Sequence, residues 1–177
     1  MLARSSQNIH NPDLSKGGVN VRVPIPEPPD NPPCFACGSS NPEGMHLQFF
    51  LEGEEVVTEF TAPKTWSGWG DVLHGGFQTL LLDEVCSWAF ATLAHSRAFV
   101  TSELTTTFKR PVRVEKPLTI RGRIVELDER QALTTGEILD ADGHVLTVGR
   151  VTIRVLSPDR FESIAHQTTS KESQRKL

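Results

Sequence analysis

The sequence predicts an α+β domain in which one antiparallel sheet packs on one long helix, and three observations predict it. Residues 75 to 95 carry apolar side chains at helical spacing. Segments rich in Val, Ile, Thr and Leu flank that stretch, two before it and four after. The links between the late segments are short, and short links require antiparallel neighbours. With 177 residues, 37% hydrophobic and 23% charged, the chain is long enough for one ordinary core. A single enclosed helix against such a sheet is an α+β layer arrangement.

The elements follow in order. Residues 1–33 hold Gly17-Gly18 and the run PIPEPPDNPP. Proline there blocks ladder bonds and favours extended chain, so an irregular or wrapping arm is expected. MHLQFFLEG and EEVVTEFTA then read as two short strands that turn near Gly53. From Gly75 to about His95, the positions Phe77, Leu80, Leu81, Val85, Trp88, Ala89 and Thr92 recur at helical spacing. Leu82, Cys86, Phe90 and Leu93 make the other faces apolar too, so the helix should be enclosed on most sides. FVTSELTTTFKR, PLTIRGRIVELDE, QALTTGEILDA and HVLTVGRVTIRVLS read as four strands, with a turn at Asp142-Gly143. Residues 159–177 are mostly polar, a tail expected to fray or to hold a short helix. The folded body is expected to span residues 34–158.

Charge and composition narrow the function. A net charge of −4 argues against a general nucleic-acid binder but leaves room for a small anionic ligand. The apolar run 77–94 contains Gln78, Asp83, Glu84 and Ser87, too polar for a lipid-facing span. The N-terminus lacks an apolar core of signal-peptide length, so a cytoplasmic protein without a membrane partner is expected. The three cysteines, Cys34, Cys37 and Cys86, cannot all pair, which suits a reducing compartment. Cys34-x-x-Cys37 has only His46 nearby as a further ligand, and a turn sequence follows it. Packing of a lead-in loop is therefore favoured over a metal or redox role, and no cofactor is expected.

Chemistry concentrates in DVLHGGFQTLLLDEVCSW. Asp83 follows three leucines, a setting where a carboxylate is paired or has work to do. A wet helix face, with Glu84 as a solvated neighbour, is the plainer reading of that carboxylate. His74 precedes Gly75-Gly76 at the predicted helix start. Glycine allows close backbone approach, and the first helical N–H groups lack internal partners. Such donors suit a carbonyl oxygen that gains negative charge. Nine residues of helix rise about 13 Å, so His74 and Asp83 of one chain cannot flank one carbonyl carbon. Either one of them acts alone, or a site combines the two from different subunits.

LHGGFQTLLLDE after two strands, followed by TSELTTTFKRPV, resembles the hotdog-fold thioesterases of the acyl-CoA class. The branch that it most resembles holds the phenylacetate-pathway and "thioesterase superfamily member" enzymes. CFACGSSNPEGMHLQF is similar to a lead-in carried by some of them. The resemblance implies a sheet of about six strands wrapped around the central helix, and homodimers, or tetramers of them, with sites shared between subunits. It also implies hydrolysis of acyl-CoA to a carboxylic acid and free coenzyme A, without a metal. Asp83 is then the general base or nucleophile. The Gly75 amide, supported by Gly76, polarises the carbonyl, and His74 assists. A hydroxyl at about Thr101 positions water, with Ser102 as its rival because Val100, Leu104 and Phe108 mark the even positions as helix-facing. Lys109, Arg110 and Arg113 are either a solvated strand end or partners of coenzyme A phosphates. Trp66 and Trp69 line an acyl pocket or simply pack. Many members carry Asn where this chain has Gly68, which motivates a second reading as a non-hydrolytic acyl-thioester binding or scaffold protein. A hotdog dehydratase or hydratase is a more distant third.

Overall fold

The computed structural model describes residues 21–29 and 31–165. Strands β1 (Val23–Ile25), β2 (Phe49–Glu52) and β3 (Glu55–Thr61) come first. A 3-10 turn (Lys64–Trp66) and a small hairpin, β4 (Ser67–Trp69) with β5 (Val72–Leu73), lead into α1 (Gly75–Leu93). Then come β6 (Phe99–Phe108), β7 (Pro117–Leu127), β8 (Gln131–Leu139), β9 (Val145–Val155) and a short α2 (Pro158–Ala165). The main sheet has seven strands in the order β1-β2-β3-β7-β8-β9-β6, every pair antiparallel. The expected succession of two strands, one helix and four strands is present. The turns at Gly53 (φ 63°) and Gly143 (φ 80°) take the left-handed backbone that glycine adopts freely.

Three features differ from the sequence reading. Val23–Ile25, in the proline-rich lead-in, adds an edge strand to β2. Pro24 is tolerated there because an edge residue need not donate on its outer side. Arg22 fastens this segment, with its guanidinium 4.0 Å over the Phe50 ring and Nη1 donating to Glu59 Oε1 at 2.6 Å. A small hairpin, β4–β5, precedes the helix. The third difference is the place of β6, which pairs with β9 at the far edge instead of joining β7 in a hairpin. The linker between β6 and β7 has its polar groups engaged elsewhere. Leu73 N–H donates to Val112 O at 2.8 Å, and Val114 N–H donates to Asp71 O at 2.9 Å.

Three strands have glycine beneath the helix, where a Cβ would crowd it. Gly122, Gly136 and Gly149 sit side by side on β7, β8 and β9. A Cβ on Gly122 would stand 2.9 Å from Val85 O, and one on Gly136 3.0 Å from Cys86 Sγ. This furrow receives the fully buried Leu82, Val85 and Cys86. Leu81, Ala89, Phe90, Ile120, Ile138, Val151 and Ile153 complete the core around them. Among the described residues no helix is long and apolar enough to cross a membrane.

Candidate active site

The helix start is set by the side chain of His74. As N-cap, its Nδ1 accepts the Gly76 N–H at 3.0 Å, while Phe77 N–H donates to His74 O at 3.0 Å. Gly76 is thus already bonded. Among the described residues the Gly75 N–H has no bonded acceptor, which leaves it as the free donor at the positive end of the helix. A Cβ on Gly75 would lie 3.1 Å from Cζ of Phe108, so that ring, 55% exposed, stands beside the free amide. Gly68 lies against the preceding residue, since a Cβ there would be 3.2 Å from His74 Cα and Cδ2. Gly68, where the resemblance leads one to expect Asn, therefore lies directly against His74.

Gln78 holds this end of the helix in place, and sequence reasoning gave it no role. It is 4% exposed, its Nε2 donates to Leu73 O at 2.8 Å, and Thr147 Oγ1 donates to its Oε1 at 2.6 Å. A buried amide with its bonds satisfied fixes register as well as distance. The only sequence signal was a glutamine within an otherwise apolar run.

β6 runs antiparallel along α1. Phe99 packs edge-on against Phe90, with ring centroids 4.9 Å apart, and Thr106 and Thr79 hydroxyls meet at 3.1 Å. Between these contacts Thr101 Oγ1 donates to Asp83 Oδ1 at 2.8 Å. Ser102 faces away and donates to Thr152 O at 3.0 Å. The register shift between Thr101 and Glu103 explains why parity misleads: Ser102 is the extra residue of a bulge. Odd positions face the helix before it, and even positions do so after it.

Asp83 is half-buried. Burial raises its carboxyl above the usual range, and the Thr101 hydroxyl pulls back down. Glu84 is not the solvated neighbour that the sequence suggested. Burial raises its carboxyl as well, and Trp88 Nε1 donates to Glu84 Oε1 at 3.0 Å. Trp66 sits inside a stack, with ring centroids 4.4 Å from Phe77 and 5.5 Å from Phe60, whereas Trp69 is 87% exposed.

Lys109 and Arg110 follow Phe108 directly and are exposed. Their backbone N–H groups both donate to Leu146 O. Arg113 instead makes a salt bridge with Asp71. The structure thus places His74, Gly75, Gly68 and Phe108 at one end of α1, and Asp83 with Thr101 about two turns along it.

Residues 70–147 match the sequence profile of the thioesterase superfamily. An uncharacterised protein of Schizosaccharomyces pombe is 29% identical over 97 residues, 54% of this chain and 55% of that protein. The chain thus spans about half the length of that curated relative. The crystal structure of a thioesterase superfamily protein aligns at 29% identity and TM-score 0.61, covering 67% of this chain and 58% of that one. Zebrafish thioesterase superfamily member 2 aligns at 17% identity and TM-score 0.61, over 68% of this chain and 90% of the other. The Escherichia coli PaaI protein, from the phenylacetic acid degradation operon, aligns at 18% and TM-score 0.59, over 64% and 81%. This chain has the hotdog fold of the thioesterase superfamily, with that superfamily's sequence pattern running from the loop before its central helix to its last strand.

Proposed function

We propose that this chain is an acyl-CoA thioesterase that acts as a homodimer, with each site built from two subunits. The observation that carries the reading is the half-buried Asp83, bonded by Thr101 and facing the edge strand β6. A carboxylate whose affinity for protons has been raised is a better general base than an exposed one. Asp83 takes a proton from water as that water attacks the thioester carbonyl carbon. The resulting oxyanion receives the Gly75 N–H of the other subunit, and His74 shapes that end of the site. Collapse of the intermediate breaks the carbon–sulfur bond, the proton held by Asp83 passes to the leaving sulfur, and a carboxylic acid and the coenzyme A thiol are released. The exposed Lys109 and Arg110, next to Phe108, are the cations this reading assigns to coenzyme A phosphates.

Two observations support the shared site. About 13 Å of helix separates the Gly75 end from Asp83, too far for one carbonyl group to meet both. β6 is also a ten-residue edge strand, and a long open edge is a template for pairing with another copy. The test is thiol release from acyl-CoA substrates of varied chain length and from aromatic acyl-CoA. Asp83→Asn should cost about 10²–10⁴-fold in turnover, the range for general-base loss. Near-normal hydrolysis by that variant would refute the assignment. The contact of Gly68 with His74 favours one competing reading, the non-hydrolytic binder. Tight binding of acyl-CoA without thiol release would establish it instead.

A further inference from the structure

Besides Asp140, Asp142 and His144 at the turn before β9, the described residues gather one further set of ligand-type side chains. The lead-in turn lays Cys34 and Cys37 on α1 beside Glu84, and one ligand atom from each lies within 4.8 Å of the other two. Cys37 is buried, while Cys34 and Glu84 are half-buried. The turn is fixed by backbone bonds: Gly38 N–H to Cys34 O at 3.0 Å, Met45 N–H to Phe35 O at 2.7 Å and Leu47 N–H to Ala36 O at 3.0 Å. Its tightness requires Gly38, where a Cβ would lie 2.6 Å from Cys34 N. The two sulfurs are therefore held in place before any ligand arrives.

A second layer of donors surrounds them. Asn31 Nδ2 points to Cys37 Sγ at 3.9 Å, and Trp88 Nε1 donates to Glu84 Oε1 at 3.0 Å. Such outer contacts orient metal ligands and tune them. A divalent cation bound there would be held by two thiolates and a carboxylate, the thiol protons passing to solvent. Two sulfurs and one oxygen suit zinc-like ions, whereas magnesium and calcium prefer oxygen alone. A cavity of about 420 Å³, lined in part by Cys37, His46, Phe49 and Trp88, opens beside the cluster and offers both an entry path and space for a fourth ligand.

We propose that Cys34, Cys37 and Glu84 bind a thiophilic divalent cation of the zinc type, with the fourth position open to the adjoining cavity. The ion clamps the lead-in to the central helix at the residue next to Asp83. The sequence offered His46 beside the two cysteines, whereas the third ligand-type group that meets them is Glu84, from another element.

Cobalt(II) titration of the full chain, with its thiols reduced, tests the site. One equivalent should bind with sulfur-to-cobalt charge-transfer absorption, and zinc should displace it. Cys34→Ser and Cys37→Ser should lose that absorption. Glu84→Gln keeps the size and the Trp88 contact, and should weaken binding on the order of tenfold or more. Zinc should also raise the melting temperature of the unsubstituted chain and not that of Glu84→Gln. Asp83→Asn should bind cobalt as the unsubstituted chain does. An unsubstituted chain whose thiols react as free groups yet which binds no cobalt overturns the proposal without recourse to a variant. Unchanged affinity in Glu84→Gln overturns it too, because the ion would then sit elsewhere.

Discussion

Thr101→Val removes one hydroxyl and keeps the β-branched shape, so it isolates the bond to Asp83. That bond is 2.8 Å long and its acceptor is a carboxylate. Hydrogen bonds to charged groups contribute about 1.5–3 kcal/mol. Thr101 faces the helix but is itself exposed to solvent, so the lower end of that range applies. At 1.36 kcal/mol per factor of ten, the variant should lose about tenfold in kcat/KM near neutral pH. The hydroxyl holds the Asp83 carboxyl down against the rise caused by burial. Its removal should therefore move the acid limb of the pH–rate profile to higher pH, and part of the lost rate should return as pH increases. Thiol release from acyl-CoA, followed from pH 5 to 9, reads both effects. Ser102→Ala is the control, because that hydroxyl is bonded to Thr152 O. A Thr101→Val profile that overlays the unsubstituted one would refute the role given to the Asp83–Thr101 pair.

Other outcomes follow from the same geometry. The Asp83 carboxyl is raised in the folded chain, so its contribution to stability is present below the ordinary carboxylate value of about 3.9 and is lost as pH rises through the folded value. Asp83→Asn should then melt higher than the unsubstituted chain at neutral pH, with the difference shrinking in acid; scanning calorimetry at two pH values checks this. Gly122→Ala places a Cβ 2.9 Å from Val85 O, and overpacking of that kind costs about 1–3 kcal/mol, measurable by urea unfolding. Substitution of Lys109 and Arg110 by alanine should raise KM for acyl-CoA and leave hydrolysis of a phosphate-free acyl thioester unchanged.

Much of the fold was legible because periodicity and turn chemistry act locally. Helical spacing from Gly75 onward gave α1, and the Gly53 and Asp142-Gly143 turns gave two hairpins. What escaped depends on contacts between distant residues. The edge position of β6 is decided by the linker bonds of Val112 and Val114 to residues 71–73. The bulge at Ser102 reverses parity in mid-strand, so alternation alone pointed the wrong hydroxyl at the helix. Glu84 reads as an ordinary surface residue until the lead-in turn covers it. Gln78 has meaning only once Thr147 and Leu73 meet it. Asp83 itself stood out because a carboxylate among leucines is costly wherever the chain goes.

The shared site can be tested most directly by mixing two inactive variants. Asp83→Ala has two sites without the base, and His74→Ala has two with a damaged helix start. After subunit exchange a mixed dimer holds one site with both lesions and one with neither. With equal amounts and random exchange, half of the dimers are mixed and each has one of two sites intact. Activity should therefore return on mixing to about a quarter of the unsubstituted level. No recovery, with exchange shown independently, would mean that His74 and Asp83 never meet across an interface.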